Sequence, residues 1–154
     1  MKIETSIGSI WLNGNDLGLT EVSFFPIESH VTNQWTEQAA EELWSYFSGD
    51  LKTFSTPLYF EKGTDFQQKV WQALAEIPFG ETRSYLDIAK AVRSEKAVRA
   101  IGQANRNNPL PIIIPCHRVI GKNGKLTGYM GKTNEEGLSI KSHLLELEGI
   151  QINY

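Results

Sequence analysis

Pro111-Ile112-Ile113-Ile114-Pro115-Cys116-His117-Arg118-Val119-Ile120 is the stretch on which the reading of this chain turns. It holds the one cysteine of 154 residues, with a histidine directly after it. Three isoleucines carry the chain into that pair as a buried apolar run, and prolines at 111 and 115 fix the backbone around it. A thiol with an imidazole nearby can be a nucleophile with its base. Alone, such a pair is more often a buried structural cysteine beside an incidental histidine. The surrounding sequence decides between the two.

In an extended chain neighbouring side chains point to opposite faces, so His117 would reach Cys116 through a bridging water. The imidazole would then need an orienting carboxylate. Glu146 and Glu148, near the end of the last predicted helix, are the candidates. Glu148 falls in the last turn, where the helix dipole disfavours a carboxylate. That mild penalty points to another use for Glu148; a solvated surface glutamate is the alternative.

Charge is unevenly spread. The net charge is -3, yet residues 1–62 hold three basic and nine acidic side chains. Residues 83–132 hold ten basic side chains (Arg83, Lys90, Arg93, Lys96, Arg99, Arg106, Arg118, Lys122, Lys125 and Lys132) against Asp87 and Glu95, a local excess of +8. A basic segment in an acidic chain points to a polyanion, and this one contains Cys116. One cysteine makes no internal disulfide, which points to a reducing compartment. The N-terminus has no apolar leader, and no apolar run approaches the roughly 20 residues of a bilayer span. The expectation is a cytoplasmic protein. Cys116, His117, His30 and His143 do not show metal-ligand spacing, so no metal is expected.

The first 25 residues read as strands over 1–5, 9–13 and 17–25, with Asn13-Gly14-Asn15-Asp16 as a hairpin turn. Thr36 to Phe47 reads as a helix capped by Thr36, and Leu58 to Phe60 as one more strand. Glu61-Lys62-Gly63 reads as a linker. Thr64 and Gln67 then form a capping box ahead of a core helix bearing Phe66, Val70, Trp71, Leu74 and Ile77. Ser84 and Asp87 cap the next helix, with Leu86, Ala89 and Ala91 or Val92 inward. Ser94 caps another from Glu95 to about Arg106, with Val98, Ile101 and Ala104 inward. Two short helices with a tight connection resemble a helix-turn-helix, a weak signal that Lys96, Arg99 and Arg106 strengthen. The last helix spans Leu138 to Glu148 with Ile140, Leu144 and Leu147 inward, after a polar loop at 133–137. The resulting division is a supporting α/β unit at 1–62 and a mainly α unit at 63–154.

Pro115-Cys-His-Arg-Val119, with Asn107-Asn-Pro109 and Pro111 before it, resembles the active-site motif of the O6-alkylguanine-DNA alkyltransferases, the methylated-DNA–protein-cysteine methyltransferases. The similarity runs from about Gly63 to Gly149. It includes Phe66-Gln-Gln-Lys-Val-Trp71, Ile77-Pro-Phe-Gly-Glu81, Ser84-Tyr85 and Gly128-Tyr129. The resemblance implies a ribonuclease-H-like α/β domain with a small antiparallel sheet, then a mainly α domain with a winged-helix-like helix-turn-helix.

It also implies the chemistry. Cys116 would take the alkyl group from O6-alkylguanine in one irreversible displacement, with no cofactor; O4-alkylthymine is a further candidate substrate. His117, through water, would take the thiol proton, and Glu148 would hold the imidazole. Tyr85 would donate to ring N3 of the departing guanine. The target nucleotide would be flipped out of double-stranded DNA, with Arg99 entering the vacated stack. Ala97 and Ala100 would let their helix approach the minor groove with little sequence preference, and Lys96, Arg106 and Ser84 would add DNA contacts. Asn108 would brace the helix pair against the active-site loop. Pro111, Val119, Tyr129 and Met130 would line the base pocket. Met130 stands where small residues are frequent in the family, and 132–137 looks like an insertion. One site and no marked apolar interface point to a monomer.

Two other readings fit parts of the sequence. One is a non-catalytic lesion sensor or helix-turn-helix DNA-binding protein; relatives that only sense lesions lack the cysteine that stands here at 116. The other is a cysteine hydrolase, which leaves the basic helix pair unexplained.

Overall fold

The computed structural model describes residues 1–28, 30–121 and 135–151. The chain falls into two compact units, Met1–Lys62 and Gly63–Tyr154.

In the first unit, strands β1 (Lys2–Thr5), β2 (Gly8–Gly14) and β3 (Leu19–Ser23) form an antiparallel meander in that order. Alternation puts Ile3, Ile10, Leu12 and Val22 on one buried face, paired Ile3 to Ile10 and Leu12 to Val22. Asn15 closes the second turn: its Oδ1 accepts from the backbone N–H of Leu17 and Gly18. Helix α1 (Gln34–Phe47) buries Ala39, Ala40, Leu43 and Tyr46. Its cap is Asn33, not Thr36. Asn33 Oδ1 accepts from Trp35 N and Thr36 N, and Thr36 Oγ1 accepts in return from Asn33 N. Thr36 is thus the reciprocal half of a capping box whose residue types differ from the usual signature, which is why the pattern misplaced it by a turn. The strand expected at 58–60 reduces to one parallel bridge between Leu19 and Leu58.

In the second unit, α2 (Asp65–Ala75) carries the expected Thr64–Gln67 capping box. Val70, Trp71 and Leu74 are buried, and Trp71 Nε1 donates to the Ala104 carbonyl at 2.8 Å. Ser84 and Asp87 cap α3 (Tyr85–Ala91), again as expected. Its inward face is Ile88 and Ala89, however; Leu86 is 44% exposed and Ala91 is exposed. The next helix, α4 (Val98–Arg106), begins three residues later than expected. Ser94 closes a turn with its carbonyl, accepting from Ala97 N, and does not cap; α4 has no side-chain N-cap. Arg93 at φ 59 turns the chain between the two helices. Ile101, Ala104 and Asn105 face inward, while Val98 is 39% exposed.

A two-residue strand β4 (Arg83–Ser84) pairs in parallel with β5 (Val119–Ile120). Neither carries a sequence signal, but the pairing fixes the start of α3 beside the residues that follow Cys116-His117-Arg118. The last helix, α5 (Glu135–Leu147), begins three residues before the expected Leu138. Gly137, Lys141, Leu144 and Leu145 are buried, whereas Ile140 and Leu147 are only half-buried. Of the three residues expected inward, Leu144 is the fully buried one. Among the described residues, no helix is long and apolar enough to cross a membrane.

Candidate active site

The loop from Asn108 to Pro115 is a tight turn and not an extended run. Pro111 and Ile114 bridge each other, Ile114 N donates to the Leu110 carbonyl at 2.8 Å, and Ile112 sits at φ 75. A β-branched residue in the left-handed region is a strained outlier. Asn108 holds it there. Its Nδ2 donates to the Ile114 carbonyl at 2.8 Å, and its Oδ1 accepts from Leu110 N at 2.9 Å. Asn108 is buried with both ends of its amide engaged in this turn, so it braces the cysteine loop itself.

The turn delivers Cys116–Arg118 as one turn of 3-10 helix. This also corrects the extended geometry expected there. Successive side chains now diverge by about 120°, not 180°, so Cys116 and His117 need not face opposite ways. All three residues are buried, with Cys116 1% exposed and His117 0%.

Glu148, just beyond the end of α5, meets them. Its Oε2 lies 2.7 Å from His117 Nε2. Arg118 Nε donates to Oε1 at 2.8 Å, and Arg118 Nη2 to Oε2 at 3.1 Å. Gly80 N donates to Oε1 at 3.2 Å, Arg118 Nη1 donates to the Ile77 carbonyl at 2.6 Å, and the guanidinium stands over Phe79. The segment 77–80 is therefore the cradle of the Arg118–Glu148 pair. Of the two carboxylates proposed from sequence, Glu148 is 6% exposed and inside the site, while Glu146 is exposed.

The hydrogen bonds assign the imidazole tautomer. A carboxylate only accepts, so Nε2 carries the proton and Nδ1 is left as the acceptor. His117 Nδ1 is buried and has no hydrogen-bond partner. Burial, opposed by the Glu148 carboxylate and reinforced by the charges of Arg118 and Lys141, holds the imidazole below its ordinary titration range. A neutral ring with a bare Nδ1, next in sequence to a thiol, can accept a proton delivered through one water.

The lowered His117 titration has a consequence for stability. Below about pH 6.5 the unfolded chain binds a proton that the buried ring resists. The stability is therefore fully present above pH 6.5 and falls as pH drops below it, by up to about 1.4 kcal/mol per pH unit while only the unfolded imidazole is protonated. Urea unfolding at about pH 7.5, 6.5 and 5.5 checks this; a flat profile would mean the native ring takes the proton freely.

The other residues singled out from the sequence divide into groups. Tyr85 opens α3 and is half-buried, and Ser84 spends its hydroxyl on the helix cap, accepting from Asp87 N. Lys96, Arg99, Ala100 and Arg106 are exposed, with Ala97 half-buried at the N-cap of α4. Together with exposed Lys90 and Arg93 they make a basic face. Arg118, counted with these from sequence, does not belong to it, since it is buried against Glu148. Pro111 and Val119 are buried, and the Val119 carbonyl accepts from Lys141 Nζ at 2.7 Å. Tyr129 and Met130 lie outside the described residues, as do residues 132–134 of the segment 132–137. Among the described residues no His, Cys, Asp and Glu group fits a metal ion.

Sequence reasoning gave no role to Arg118 or Lys141. Arg118 was visible only as part of a motif. For Lys141, its seven-residue spacing from Glu148, two helical turns, was the available signal.

The fold and site thus define a single-cysteine protein: a buried thiol and an imidazole fixed by a buried ion pair, in the same unit as a basic helix pair. Two family models match: the 6-O-methylguanine DNA methyltransferase DNA binding domain over residues 65–150, and the ribonuclease-like domain of the same protein over 1–60. The methylated-DNA–protein-cysteine methyltransferase of Methanosarcina acetivorans is 49% identical over 154 residues, covering 95% of each chain. The constitutive methylated-DNA–protein-cysteine methyltransferase of Bacillus subtilis is 62% identical over 113 residues, 73% of this chain and 66% of that protein. A crystal structure of Mycobacterium tuberculosis OGT in complex with DNA superposes with a TM-score of 0.84 at 44% identity, covering 96% of this chain and 90% of that one. The chain belongs to the 6-O-methylguanine DNA methyltransferase family.

Proposed function

We propose that this protein repairs DNA by moving a methyl or other alkyl group from guanine O6 onto its own Cys116, once per molecule. Cys116 Sγ attacks the alkyl carbon; the S–C bond forms as the C–O bond breaks, and the electron pair of that bond stays on the guanine. The thiol proton passes through a water to His117 Nδ1. Glu148 accepts from Nε2 and fixes the ring in the tautomer that leaves Nδ1 free to receive it. Tyr85 donates to guanine N3 as negative charge develops on the base. The product is a thioether, and nothing in the scheme regenerates the thiol. O4-alkylthymine presents the same alkyl–oxygen bond to the nucleophile.

Double-stranded DNA is the partner, bound by the basic face of α3 and α4 through its minor groove with little sequence preference. Arg99 occupies the gap left by the flipped nucleotide. Lys96, Arg106 and Ser84 touch the backbone, and the small Ala97 and Ala100 allow close approach. Residues 63–154 carry DNA binding and transfer, with 1–62 as support. A monomer in a reducing, cytoplasmic setting fits one site and a single cysteine.

The observation that carries this reading is the bare, buried Nδ1 of His117 beside the family's cysteine, with Nε2 already committed to Glu148. The test is to incubate the protein with a duplex carrying O6-methylguanine and to weigh the peptide containing Cys116. One added methyl on that sulfur is expected. An unmodified thiol in a protein that binds the lesion tightly would favour a lesion sensor instead.

A further inference from the structure

Helices α1, α3 and α5 end in the same way. After α1, Gly49 N donates to the Tyr46 carbonyl at 3.0 Å and Asp50 N to the Ser45 carbonyl at 2.9 Å. After α5, Gly149 N donates to the Glu146 carbonyl and Ile150 N to the Leu145 carbonyl, both at 3.0 Å. After α3, Arg93 N donates to the Lys90 carbonyl at 3.0 Å and Ser94 N to the Ala89 carbonyl at 2.8 Å. This pair of bonds closes a helix by turning one residue into the left-handed region. Glycine holds that place at 49 (φ 84) and at 149 (φ 83), but at 93 it is held by an arginine (φ 59). There a β-carbon crowds the following carbonyl oxygen, a penalty that glycine lacks.

No contact of the Arg93 side chain offsets that penalty. Ile112, also at positive φ, is buried in a turn that Asn108 braces. Arg93 is exposed. Its side chain borders an open groove with Lys69, Gln72 and Glu76 of α2. Among the described residues its guanidinium pairs with no carboxylate, Glu76 included. What the position supplies is charge at the turn between α3 and α4. The connection 92–97 carries Arg93 and Lys96 against Glu95, all three exposed, so without Arg93 it would be neutral.

We infer that Arg93 holds a DNA backbone phosphate at the turn of the helix pair, a contact beyond those assigned above, and that it destabilises the fold in doing so. The inference rests on the reading of DNA as the partner. A guanidinium can take two phosphate oxygens at once, and phosphate contacts position a protein without reading sequence. The effect of Arg93 therefore falls on affinity and its salt dependence, whatever the sequence of the duplex.

Arg93→Gly places at 93 the residue type found at 49 and 149. Two effects of opposite sign are expected. The thermal midpoint should rise by about 2–4 °C as the left-handed penalty is removed. Binding to an undamaged duplex should weaken about eightfold near 0.1 M salt, and the slope of log affinity against log salt should become shallower by about 0.9. Arg93→Lys keeps both the charge and the strained side chain, so it should recover the slope without the gain in midpoint.

A midpoint no lower than the natural one, together with a shallower slope, supports the inference. An unmoved slope in Arg93→Gly would overturn it, as would a loss that Arg93→Lys shares in full. A lowered midpoint would also overturn it, by making Arg93 a residue that holds the turn. None of these measurements involves methyl transfer. A chain that shows both effects but accepts no methyl from O6-methylguanine sinks the repair reading alone. One that transfers the methyl with a slope indifferent to Arg93 sinks this inference alone.

Discussion

Glu148→Gln is expected to cost about 3–5 kcal/mol of folding stability and at least about a hundredfold in the rate of methyl transfer. The carboxylate accepts from His117 Nε2, Arg118 Nε and Nη2, and Gly80 N. An amide of the same shape has one accepting oxygen and presents an NH2 where the carboxylate accepted. The Arg118 guanidinium then stays buried beside a neutral group, and its desolvation is no longer offset. The imidazole loses the acceptor that fixed its tautomer, so Nδ1 is no longer reliably bare. Thermal unfolding should drop by roughly 10 °C, given about 2–4 °C per kcal/mol at this chain length. Single-turnover kinetics on an O6-methylguanine duplex, measured well below the new midpoint, reads the rate separately. Glu146→Gln is the control, because Glu146 is exposed. Equal losses in the two variants would remove Glu148 from its proposed role.

Arg99→Ala is expected to slow transfer from duplex DNA about a hundredfold while leaving transfer from free O6-benzylguanine unchanged. Flipping a nucleotide costs a few kcal/mol of stacking and pairing, and a side chain that fills the gap recovers part of it. A contribution of about 2.7 kcal/mol corresponds to that factor. Arg99 is exposed in the first turn of α4, so its removal should leave stability within about 0.5 kcal/mol. Measuring both substrates on one preparation separates DNA handling from chemistry. The same loss on the free base would place the effect of Arg99 in the reaction itself and sink its role in the stack.

These two variants probe parts of the site that were legible to different degrees. The exposure of Arg99 was readable because charge is written directly in the sequence, whereas its place in the stack is implied by the family resemblance. The Thr64–Gln67 and Ser84–Asp87 boxes were readable for a similar reason, since capping acts over three residues and involves no distant partner. Where capping used an unfamiliar pair, as at Asn33 and Thr36, or where a turn took the place of a cap, as at Ser94, the local pattern misplaced the helix start.

By itself the sequence determined the nucleophile, the basic helix pair, the strand-then-helix plan and, through its motif, the family. Only the tertiary structure decided which carboxylate holds the imidazole, that Arg118 belongs to an ion pair and not to the basic face, and that Lys141 points inward. Those three facts depend on contacts between groups 22 to 68 residues apart in the sequence. Hydrophobic periodicity assigns every charged residue to the outside, because an isolated charge cannot afford burial. Whether a particular charge has partners waiting in the interior is settled by the elements that pack around it: here α5, the 3-10 turn and the cradle at 77–80.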